Sequence, residues 1–466
     1  MYVLPSLGDY KHIHFVGIGG CGMGGIAEVL LNQGYQVTGS DTADNNMVRR
    51  LKDLGATVYP DHQAKYIVGV DVVVVSSAIP IDNPEWLAAK QDYVPVLQRA
   101  QMLSVLMQSY TGIAISGTHG KTTTTSLIAS VLAGAGLDPT YVIGGLLKSN
   151  GRHAQLGSGQ YFVAEADESD GSFLCLHPQL SVITNIEADH LSTYGGKFER
   201  LCDAFLEFIS NLPDAGKAIV CLDDPVISDL LPQMQRPLIT YGFSERADWQ
   251  ARHFVQHGIR SQFEVRFKKS PWQAVVLQLA GKHNVLNALA AFAVAHELNI
   301  KHEQILPALA NFAGVGRRFH IRGQLTLVHG QALIIDDYGH HPREIAVTLE
   351  AAKNAWPGRR VVLVYQPHRY SRTQQLFQGF VEELAKADKL VLLEIYSAGE
   401  DAIPGVTAAD LWQQIQQRSL SQPLLVDDVT KLAELLPVVL ADGDVVLLQG
   451  AGSIGKVADQ LNLKSL

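Results

Sequence analysis

Short apolar runs recur along the chain, and each is followed by glycine or polar residues and then by a stretch with helical spacing. In the first part of the chain such runs lie at 13–16, 36–39 and 70–77. Continuous apolar runs of this kind are typical of strands buried on both faces, and their alternation with helices is the rhythm of βαβ units. The pattern predicts a parallel sheet near the start of the chain.

The same rhythm continues toward the C-terminus in two further blocks. The second block opens with TGIAISGTHGKTTTT at 111–125 and has apolar runs at 161–167, 180–186, 217–224 and 260–268, with a helical stretch at 283–298. The third block begins near Gly316 and has apolar runs at 332–338, 359–367, 389–396 and 444–455.

The 466 residues are too many for one ordinary core, so several domains are expected. We predict an α/β protein of three domains. These are a Rossmann-like N-terminal domain (1–107), a central P-loop ATPase-like domain with a mixed sheet (108–316) and a Rossmann-like C-terminal domain (317–466).

Composition narrows the class of protein. Hydrophobic residues make up 47% of the chain and charged residues 18%, as in a well-packed globular protein. The net charge of −9 is spread out, and no cluster of Lys and Arg suggests binding to nucleic acid or to a membrane. No apolar stretch is long enough for a membrane span, and no signal-peptide pattern is visible. We therefore expect a cytoplasmic protein with four reduced cysteines.

The first candidate site is the glycine-rich turn HIHFVGIGGCGMGG at 12–25. Gly17, Gly19 and Gly22 fit G-x-G-x-x-G directly after a predicted strand, and Asp41 ends the next strand-like run. Such glycines let a diphosphate approach the backbone at a helix N-terminus, and the acid accepts a hydrogen bond from a ribose. Alone, this pattern favours an NAD-dependent oxidoreductase.

A second glycine turn, GTHGKT at 117–122, joins a buried-type strand to a helical stretch. In such a turn backbone N–H groups bind phosphate, Lys121 reaches the β- and γ-phosphates, and the Thr122 hydroxyl ligates Mg²⁺. The usual pattern has glycine where this chain has Ile115, so the loop is a shortened variant. The alternative is a strand–helix turn that carries a lysine by chance.

Acidic residues end the next two strands of the second block. YFVAEADESD supplies Glu165, Asp167, Glu168 and Asp170, and SVITNIEADH supplies Asn185, Glu187, Asp189 and His190. Four carboxylates so close repel one another unless a cation or hydrogen-bond donors lie among them. We predict a divalent metal site that includes Glu165 and His190. The alternatives are a solvated loop and a structural histidine.

Histidines and arginines collect in the third block. DDYGHHP carries Tyr338 and His340, and YQPHRYSRT carries His368, Arg369 and Arg372. Two close guanidiniums suit a carboxylate, which arginine binds bidentately. Nearer the hinge, an arginine of Gly-Arg-Arg-Phe (316–319) could reach the γ-phosphate on domain closure. The alternative is that these arginines are ordinary solvated residues of the surface. Separate sites for a nucleotide, an acid and an amine favour an ATP-dependent ligase over a kinase, which needs only one acceptor site.

The chain resembles the Mur ligases in motifs that follow in order over nearly its whole length. These are GIGGCGMGGIAEVL, SGTHGKTTTT, VAEADESDGSF, NIEADHLSTY, GKHNVLNALAA, GVGRRF, DDYGHHPREI, QPHRYSRT and EIYSAGE. The resemblance is greatest with the branch that joins L-alanine to UDP-N-acetylmuramate. It implies a reaction through an acyl phosphate that uses ATP and two Mg²⁺ ions, with Mn²⁺ able to replace Mg²⁺.

The resemblance also implies roles for individual residues. Lys121, His190 and Arg318 are implied to be catalytic, and Thr122, Glu165 and His190 to be metal ligands. The implied ATP-binding residues are Gly117, Thr118, His119, Gly120, Lys121, Thr122, Thr123, His283, Asn284, Asn287, Arg318 and Asp337. Those implied for the UDP part are Gly17, Gly19, Gly20, Gly22, Met23, Gly24, Asp41, Ser76, Ser77 and Ala78. L-Alanine is implied to contact Tyr338, His340, His368, Arg369 and Arg372.

One position departs from several sister ligases, which carry a carbamoylated lysine about 15 residues after the metal-binding histidine. This chain has Phe205 there, and the nearest lysine, Lys197, is too early, so no carbamoyl-lysine is expected. We expect a monomer or a weak homodimer whose partners are its three substrates.

Three other functions compete with this interpretation. The first is a recycling ligase of the same fold that adds a whole tripeptide to UDP-N-acetylmuramate. The second is the NAD-dependent oxidoreductase, which leaves Lys121, Glu165 and His190 without a purpose. The third is a non-catalytic nucleotide-binding regulator, for which two phosphate loops and a metal site are more than binding requires.

Overall fold

Three β-sheets, each built mainly of parallel strands, follow one another in the computed structural model, which describes residues 7–76, 78–419 and 421–464. Helices connect most of the successive parallel strands. Among the described residues, no helix is both long and apolar enough to cross a membrane.

The first sheet carries the first glycine turn. Its strands are β1 (His12–Val16), β2 (Gln36–Ser40), β3 (Thr57–Tyr59), β4 (Val72–Val75) and β5 (Val96–Gln98). Its helices are α1 (Cys21–Asn32), α2 (Asn46–Asp53), α3 (Pro84–Gln91) and α4 (Arg99–Met107). All pairs are parallel, in the order β3-β2-β1-β4-β5. The order reverses at β1, and ligands bind at such reversal points in open α/β sheets.

The second sheet has ten strands. They are β6 (Thr111–Ser116), β7 (Thr140–Leu147), β8 (Arg152–Gln155), β9 (Tyr161–Glu165), β10 (Leu180–Ile183), β11 (Lys217–Cys221), β12 (Leu238–Gly242), β13 (Trp249–His257), β14 (Arg260–Phe267) and β15 (Gln273–Leu277). The helices are α5 (Lys121–Gly134), α6 (Phe198–Ser210), α7 (Pro225–Leu230), α8 (Lys282–Glu297) and α9 (His302–Ala310). The order is β15-β14-β13-β12-β11-β10-β6-β9-β7-β8. β6 is parallel to both neighbours, whereas β7 and β8 are antiparallel.

The third sheet has seven strands. They are β16 (His320–Thr326), β17 (Gln331–Asp337), β18 (Val361–Tyr365), β19 (Lys389–Leu393), β20 (Leu424–Val426), β21 (Val445–Gln449) and β22 (Leu463–Lys464). The helices are α10 (Pro342–Ala355), α11 (Tyr370–Gln375), α12 (Phe377–Leu384), α13 (Ala408–Arg418), α14 (Leu432–Val439) and α15 (Val457–Gln460). The order is β20-β19-β18-β21-β17-β16-β22, with β16 antiparallel to both neighbours. The predicted α/β class with a mixed central sheet is confirmed.

The most continuous apolar runs that predicted strands are fully buried. Every residue of β4, β18 and β21 is buried, because helices cover both faces of these parallel sheets. Each Val or Leu buried in this way contributes about 1.5–3 kcal/mol relative to an exposed position. These central strands therefore hold the turns that follow them in place.

The chain forms two compact units. The first contains the residues up to His253 together with Phe263–Val276 and Val285–Ala313. The second contains Phe254–Gln262, Leu277–Asn284 and the chain from Gly314 onward. Both glycine turns and the acidic strand ends thus belong to the first unit, and the His/Arg cluster belongs to the second.

Candidate active site

The first glycine turn is bound tightly to its neighbouring strand. Gly17 has a left-handed backbone (φ +80°), and its N–H donates to the Ser40 carbonyl at 2.8 Å. The N–H of Gly19 donates to Asp41 Oδ2 at 2.8 Å. A Cβ on Gly19 would lie only 2.8 Å from that same oxygen, so the close approach requires glycine. Asp41, expected to contact the ligand, holds the turn with this carboxylate oxygen.

The part of the turn that reaches solvent is short. Gly20 and Cys21 are exposed and Gly22 is half-buried, at the N-terminus of α1. Met23 is only 2% exposed, and Gly24 packs against Met47. Gly20–Gly22 are therefore the accessible backbone of this predicted binding loop. Met23 and Gly24 are buried and pack against the rest of the domain.

The neighbouring β4 ends beside the same turn. Ser76 is half-buried, and its Cβ lies 3.7 Å from the point where Gly17 would carry one. Ala78 is exposed, and its N–H donates to Ser76 Oγ at 3.3 Å. Ser77 lies outside the described residues. The structure thus places Ser76, which the resemblance implies for the UDP part, beside the first glycine turn.

The second glycine turn joins β6 to α5. Gly117 (φ +126°) and Gly120 (φ +84°) have left-handed backbones, and Lys121 begins the helix. Asn185, which follows β10, holds this turn by two hydrogen bonds. Its backbone carbonyl accepts from the Thr118 N–H at 3.0 Å, and its Oδ1 accepts from the His119 N–H at 2.8 Å. The N-terminus of α5 therefore has a fixed backbone, as phosphate binding requires.

Side chains on both sides of this turn complete its framework. The Nε2 of His119 lies 3.2 Å from a carboxylate oxygen of Glu187. Asn287 accepts from the hydroxyl of Thr124 at 3.1 Å, and it lies against Gly120. Thr123 is 8% exposed. Asn287, implied to bind ATP, thus borders the second glycine turn.

Lys121 is held by a buried glutamate. Its Nζ donates to both oxygens of Glu168, at 3.0 and 2.8 Å, and to the Gly117 carbonyl at 2.7 Å. Glu168 is 2% exposed, and the Tyr194 hydroxyl donates to its carbonyl. Burial lowers the pKa of Lys121, but Glu168 and Asp167 outweigh it and raise the pKa above its ordinary value. Lys121 is therefore a cation at neutral pH.

The structure brings together two of the three predicted metal ligands. The Thr122 hydroxyl lies 3.2 Å from Glu165 Oε2, and Glu165 Oε1 accepts from the Gly144 N–H at 2.7 Å. A hydroxyl beside a carboxylate at a phosphate loop is the oxygen donor set that Mg²⁺ prefers. His190 has a left-handed backbone (φ +54°), and its Nε2 lies 3.4 Å from Asp189.

In the second unit, two consecutive arginines differ in their contacts. Arg317 Nη2 donates to the Gly450 carbonyl at 2.6 Å, and its Nε donates to Asp336 at 3.3 Å. Arg318 lies over the ring of Tyr338 at 5.2 Å and is 3.7 Å from Glu344. Arg318 has the longer contacts, so it is the freer of the two to reach a ligand.

Asp337 organises the end of β17. Its Oδ2 accepts from the Phe319 N–H at 2.8 Å, and its Oδ1 accepts from the Gly339 N–H at 2.8 Å and from Gln449 Nε2 at 2.9 Å. Asp337 is 6% exposed. The Asp337 carboxylate, implied to bind ATP, thus already accepts hydrogen bonds from donors of the protein itself.

Two further residues that are implied to bind ATP, His283 and Asn284, are adjacent to each other. Asn284 Nδ2 donates to the Ala280 carbonyl at 2.7 Å and lies 3.1 Å from His283 Nε2. Burial lowers the pKa of His283 to about 4, although Asp337 and Glu344 oppose this shift. His283 is therefore neutral at pH 7.

The predicted amino-acid contacts form one aromatic and cationic cluster. The rings of His340 and His368 are 5.9 Å apart, and His368 stacks on Tyr396 at 5.6 Å. Arg372, 6% exposed, has Nη1 3.5 Å from His368 Nδ1. Tyr338 meets His340 edge to face at 5.4 Å.

Charge in this cluster comes from Arg372 rather than from the histidines. Burial lowers the pKa of His340 to about 3 and that of His368 to about 4, so both rings are neutral at pH 7. Arg369 (φ +72°) turns toward Glu400 at 4.0 Å, and 47% of its side chain is exposed. The arrangement suits one carboxylate bound by a guanidinium beside neutral aromatic rings.

We expect the second unit to lose stability as pH falls from about 6.5 to 4. His283, His340 and His368 stay neutral in the folded state down to pKa values of about 4, 3 and 4, whereas the unfolded chain takes up these protons near 6.5. The unfolded state then binds more protons in this window, so acid favours unfolding. Asp336, whose pKa burial raises to about 6, acts in the opposite direction but is one group against three.

Urea unfolding at pH 7, 6 and 5 measures this effect. His368→Gln should flatten the pH dependence, and substitution of the exposed His329 by Gln should leave it unchanged. A stability that stays constant or increases between pH 7 and 5 would contradict the assignment of neutral, buried histidines.

Several functional residues were not assigned from sequence. Glu168 was only one of four acids within the six residues 165–170, and Asn185 was only one polar residue at a strand end. Tyr396 is separated from His368 by a whole crossover and had no motif of its own. The signal present in each case was position at the C-terminal end of a strand, where ligands meet in parallel sheets.

Comparison with protein families identifies the class. Three family models match successive parts of the chain. They are described as Mur ligase family, catalytic domain (12–111), Mur ligase middle domain (115–295) and Mur ligase, glutamate ligase domain (317–452). The fold and these matches define an ATP-dependent ligase. The chain belongs to the Mur ligase family, whose reactions build peptidoglycan precursors.

Solved structures of similar chains include a UDP-N-acetylmuramate–alanine ligase from Thermotoga maritima. It is 28% identical with a TM-score of 0.82, and the match covers 96% of this chain and 97% of that one. A murein peptide ligase from Psychrobacter arcticus is 25% identical with a TM-score of 0.71, covering 98% and 100%. The UDP-N-acetylmuramate:L-alanyl-γ-D-glutamyl-meso-diaminopimelate ligase from Neisseria meningitides is 29% identical with a TM-score of 0.60, covering 65% and 98%. These comparisons give no support to an oxidoreductase.

Proposed function

We propose that this ligase joins L-alanine to the lactyl carboxylate of UDP-N-acetylmuramate and converts ATP to ADP and phosphate. The observation that carries the proposal is the likeness to the alanine ligase over almost the whole of both chains, with a TM-score of 0.82. The two peptide ligases reach 0.71 and 0.60. The ordered motifs of the alanine-adding branch support the same assignment.

Each domain has a separate ligand in this proposal. Residues 1–107 bind the UDP part, 108–316 bind ATP and 317–466 bind L-alanine. The accessible backbone at Gly20–Gly22 supports binding of the UDP part. The turn before Lys121, which Asn185 holds by hydrogen bonds, supports binding of ATP. Buried Arg372, which lies among aromatic rings, supports binding of L-alanine. We expect it to act in the cytoplasm as a monomer or weak homodimer.

The first step activates a poor acylating agent. A carboxylate oxygen attacks the γ-phosphorus, the bond from that phosphorus to the β–γ bridging oxygen breaks, and ADP leaves. Lys121, a cation at neutral pH, lies where it would neutralise charge on the transferred group. Arg318, with its long contacts, is proposed to reach the same phosphate.

Metal binding belongs to this step. Thr122, Glu165 and His190 would hold Mg²⁺, two ions in all, and Mn²⁺ would replace it. A bound divalent cation supplies charge neutralisation for the phosphates. The 3.2 Å approach of Thr122 to Glu165 supports one of these positions.

The second step forms the amide. The unprotonated amine of L-alanine attacks the acyl carbon, and phosphate leaves with one oxygen of the original carboxylate. Arg372 would bind the alanine carboxylate, and the rings of His340, His368 and Tyr338 would line its surroundings. Phe205, where sister ligases carry a modified lysine, is buried against Phe173 at 5.3 Å, so the proposal uses no carbamoyl group.

The second candidate function is the tripeptide-adding recycling ligase. Full-length likeness to the Psychrobacter arcticus murein peptide ligase favours it, at 25% identity. It shares ATP and UDP-N-acetylmuramate with the first proposal and differs only in the amine substrate.

The test is the amine requirement of phosphate release. Purified protein with ATP, Mg²⁺ and UDP-N-acetylmuramate should release phosphate on addition of L-alanine, and more slowly with glycine or L-serine. Turnover with L-alanyl-γ-D-glutamyl-meso-diaminopimelate but not with L-alanine would overturn the proposal in favour of the recycling ligase. Turnover without the muramyl nucleotide would overturn both.

A further inference from the structure

Glu85 is a buried acid that reaches the first glycine turn through a single residue. It lies near the start of α3, and its Oε2 accepts a hydrogen bond from the Ser40 hydroxyl at 2.6 Å. His62 Nδ1 lies 2.9 Å from the same hydroxyl and 3.4 Å from the same carboxylate oxygen. The backbone carbonyl of Ser40 accepts from the N–H groups of Gly17 at 2.8 Å and Ile18 at 3.1 Å. Ser40 therefore joins Glu85 to the backbone of the turn.

Two histidines of β1 lead to Glu85 through a row of polar contacts. His12 Nδ1 lies 3.1 Å from the Gly69 carbonyl, and His12 Nε2 lies 3.0 Å from Thr38 Oγ1. His14 Nδ1 lies 2.8 Å from the same hydroxyl. His14 Nε2 lies 3.6 Å from Glu85 Oε2, and among the residues that the structure describes it has no hydrogen-bond partner. We call these five residues, Gly69, His12, Thr38, His14 and Glu85, the histidine relay.

The histidine relay has one hydrogen fewer than it has contacts when both imidazoles are neutral. Four contacts join its consecutive members, and each contact needs one hydrogen. The Gly69 carbonyl and the Glu85 carboxylate only accept, whereas a hydroxyl and a neutral imidazole carry one hydrogen each. Thr38, His12 and His14 therefore supply three hydrogens for the four contacts. One added proton completes the relay and makes one of its two histidines an imidazolium.

Glu85 is ionised at neutral pH. Burial raises the pKa of Glu85, but His14, the Ser40 hydroxyl and the Gln63 N–H together lower it below its ordinary value. A buried carboxylate is costly unless cations or hydrogen-bond donors surround it. The Ser40 hydroxyl gives its hydrogen to Glu85, so His62 donates to Ser40, and a neutral His62 has the hydrogen for this. The missing proton is therefore that of the relay, whose imidazoles are of the kind that titrates near neutral pH.

The other ionisable groups next to the relay are engaged elsewhere. The ring of Tyr59 in β3 lies 6.4 Å from that of His14 and stacks on Tyr66 at 3.8 Å. The Tyr66 hydroxyl donates to Asp61 at 2.6 Å, and Asp71 accepts from the two backbone N–H groups of residues 11 and 12. Across residues 7–76, 78–419 and 421–464, the acid of the relay is the only carboxylate within ion-pair distance of His14.

We propose that Glu85 is a positioning residue for the first glycine turn, and that the histidine relay binds one proton that secures it. With the proton bound, the approach of His14 to Glu85 becomes an ion pair between buried groups, where attraction is stronger than in water. Glu85 then holds Ser40, and Ser40 holds the N–H groups of Gly17 and Ile18. The inference rests on the proposed function in one respect, because it takes this turn as part of the site for UDP-N-acetylmuramate.

Calorimetric binding of UDP-N-acetylmuramate at pH 8, 7 and 6 tests the link between the proton and the turn. The carboxylate and the diphosphate of this ligand stay ionised over that range, so a change in affinity reports protons of the protein. The unaltered protein should bind more tightly as the pH falls, by no more than about 10-fold per pH unit, the limit for one proton. Glu85→Gln keeps the shape of the side chain without its charge and should remove this dependence. Asp53→Asn, at an exposed acid of the same domain, should leave it unchanged.

Steady-state kinetics separate positioning from chemistry. Ser40→Ala removes the hydroxyl that joins Glu85 to β2 and keeps a small side chain there. Its KM for UDP-N-acetylmuramate should rise about 5- to 10-fold, the scale of one hydrogen bond to a charged group, while kcat and the KM for ATP stay within about 2-fold of the unaltered values. Unchanged binding of ADP by this variant shows that the rest of the unit is folded.

Nuclear magnetic resonance of ¹⁵N-labelled histidine rings detects the relay proton without any substrate. As the pH falls from 8 to 6, an imidazolium signal should appear that is assigned by its loss in His14→Gln. The same signal should be absent from Glu85→Gln over this range, because the charge that holds the proton is gone.

Distinct results would overturn distinct claims. Neutral rings of both His12 and His14 at pH 6 would overturn the relay proton. An affinity for UDP-N-acetylmuramate that stays constant from pH 8 to 6, or a Ser40→Ala variant with an unaltered KM for it, would overturn the positioning role of Glu85. An unaltered protein that shows the relay proton but binds no UDP-N-acetylmuramate would overturn the proposed function and leave the proton assigned.

Discussion

Lys121→Ala should reduce turnover about 1,000-fold or more, at the upper end of the loss seen when one electrostatic stabiliser is removed from an active site. Lys121 carries the positive charge of the second glycine turn and begins α5, at whose N-terminus we propose that the phosphates of ATP bind. In phosphoryl transfer the protein contributes mainly position and charge, so no neighbouring group replaces it. Steady-state phosphate release at saturating ATP and L-alanine measures the effect.

Lys121→Ala should also lower the stability of the fold, and this effect must be separated from the loss of turnover. Glu168, 2% exposed, loses its two bonds to Lys121, and removing one partner of a buried pair costs about 3–5 kcal/mol. Lys121→Met combined with Glu168→Gln removes both charges and should recover most of that stability while leaving turnover low. Lys301→Ala, an exposed lysine of the same unit, is the control. A folded double variant with kcat within 3-fold of the unaltered protein would contradict the role of Lys121.

Gly117→Ala should abolish measurable ATP binding or raise the KM for ATP at least 10-fold. The new Cβ would lie 2.1 Å from Thr184 Oγ1 and 2.9 Å from the Asn185 carbonyl, which belongs to the strand end that clamps the turn. The left-handed backbone at φ +126° adds strain. Strain and overpacking each cost about 1–3 kcal/mol, and relief requires moving the turn away from β10.

Gly136→Ala is the matched control for backbone strain. Gly136 also has a left-handed backbone (φ +78°), but a Cβ there would meet nothing within 4 Å. Its substitution should lower stability by about 1 kcal/mol and leave the KM for ATP unchanged. Thermal unfolding and ATP titration of both variants make the comparison. Equal behaviour of the two would show that the clamp on Gly117 is unimportant.

The sequence predicted where strands begin better than where they end. The run at 180–186 predicted seven residues, and β10 covers Leu180–Ile183. Thr184 and Asn185 leave the sheet, because their side chains bind the His119 carbonyl of the second turn. Likewise the run at 161–167 ends as a strand at Glu165, where the side chain turns to Thr122. The strands are shorter than predicted where polar residues at their ends form hydrogen bonds within the candidate site.

Contacts between distant parts of the chain could not be read from sequence. Glu168 meets Lys121 across 47 positions. Asp41 and Asp337 stood at the predicted strand ends, but their carboxylates are bonded to backbone N–H groups. Motif spacing gives residue type and position along a strand, whereas the direction of a side chain depends on packing among elements far apart in sequence.

The glycine turn at 17–22 shows the limit of one motif. Its geometry suits a diphosphate at a helix N-terminus, which NAD and a UDP-sugar both carry. The family matches across 12–452 and the second glycine turn favour a ligase, and we therefore propose a UDP-sugar rather than NAD as the ligand of this turn. The physical interpretation of the turn survives, and the identity of its ligand changes.

Transfer of ¹⁸O from the lactyl carboxylate to phosphate is the direct signature of an acyl-phosphate intermediate. UDP-N-acetylmuramate labelled in both carboxylate oxygens is turned over with ATP and L-alanine, and the products are analysed by mass spectrometry. We expect one ¹⁸O atom in each phosphate released, one retained in the new amide, and ADP without label. Label in AMP, or an alanine adduct formed with unlabelled phosphate, would contradict an acyl-phosphate ligase.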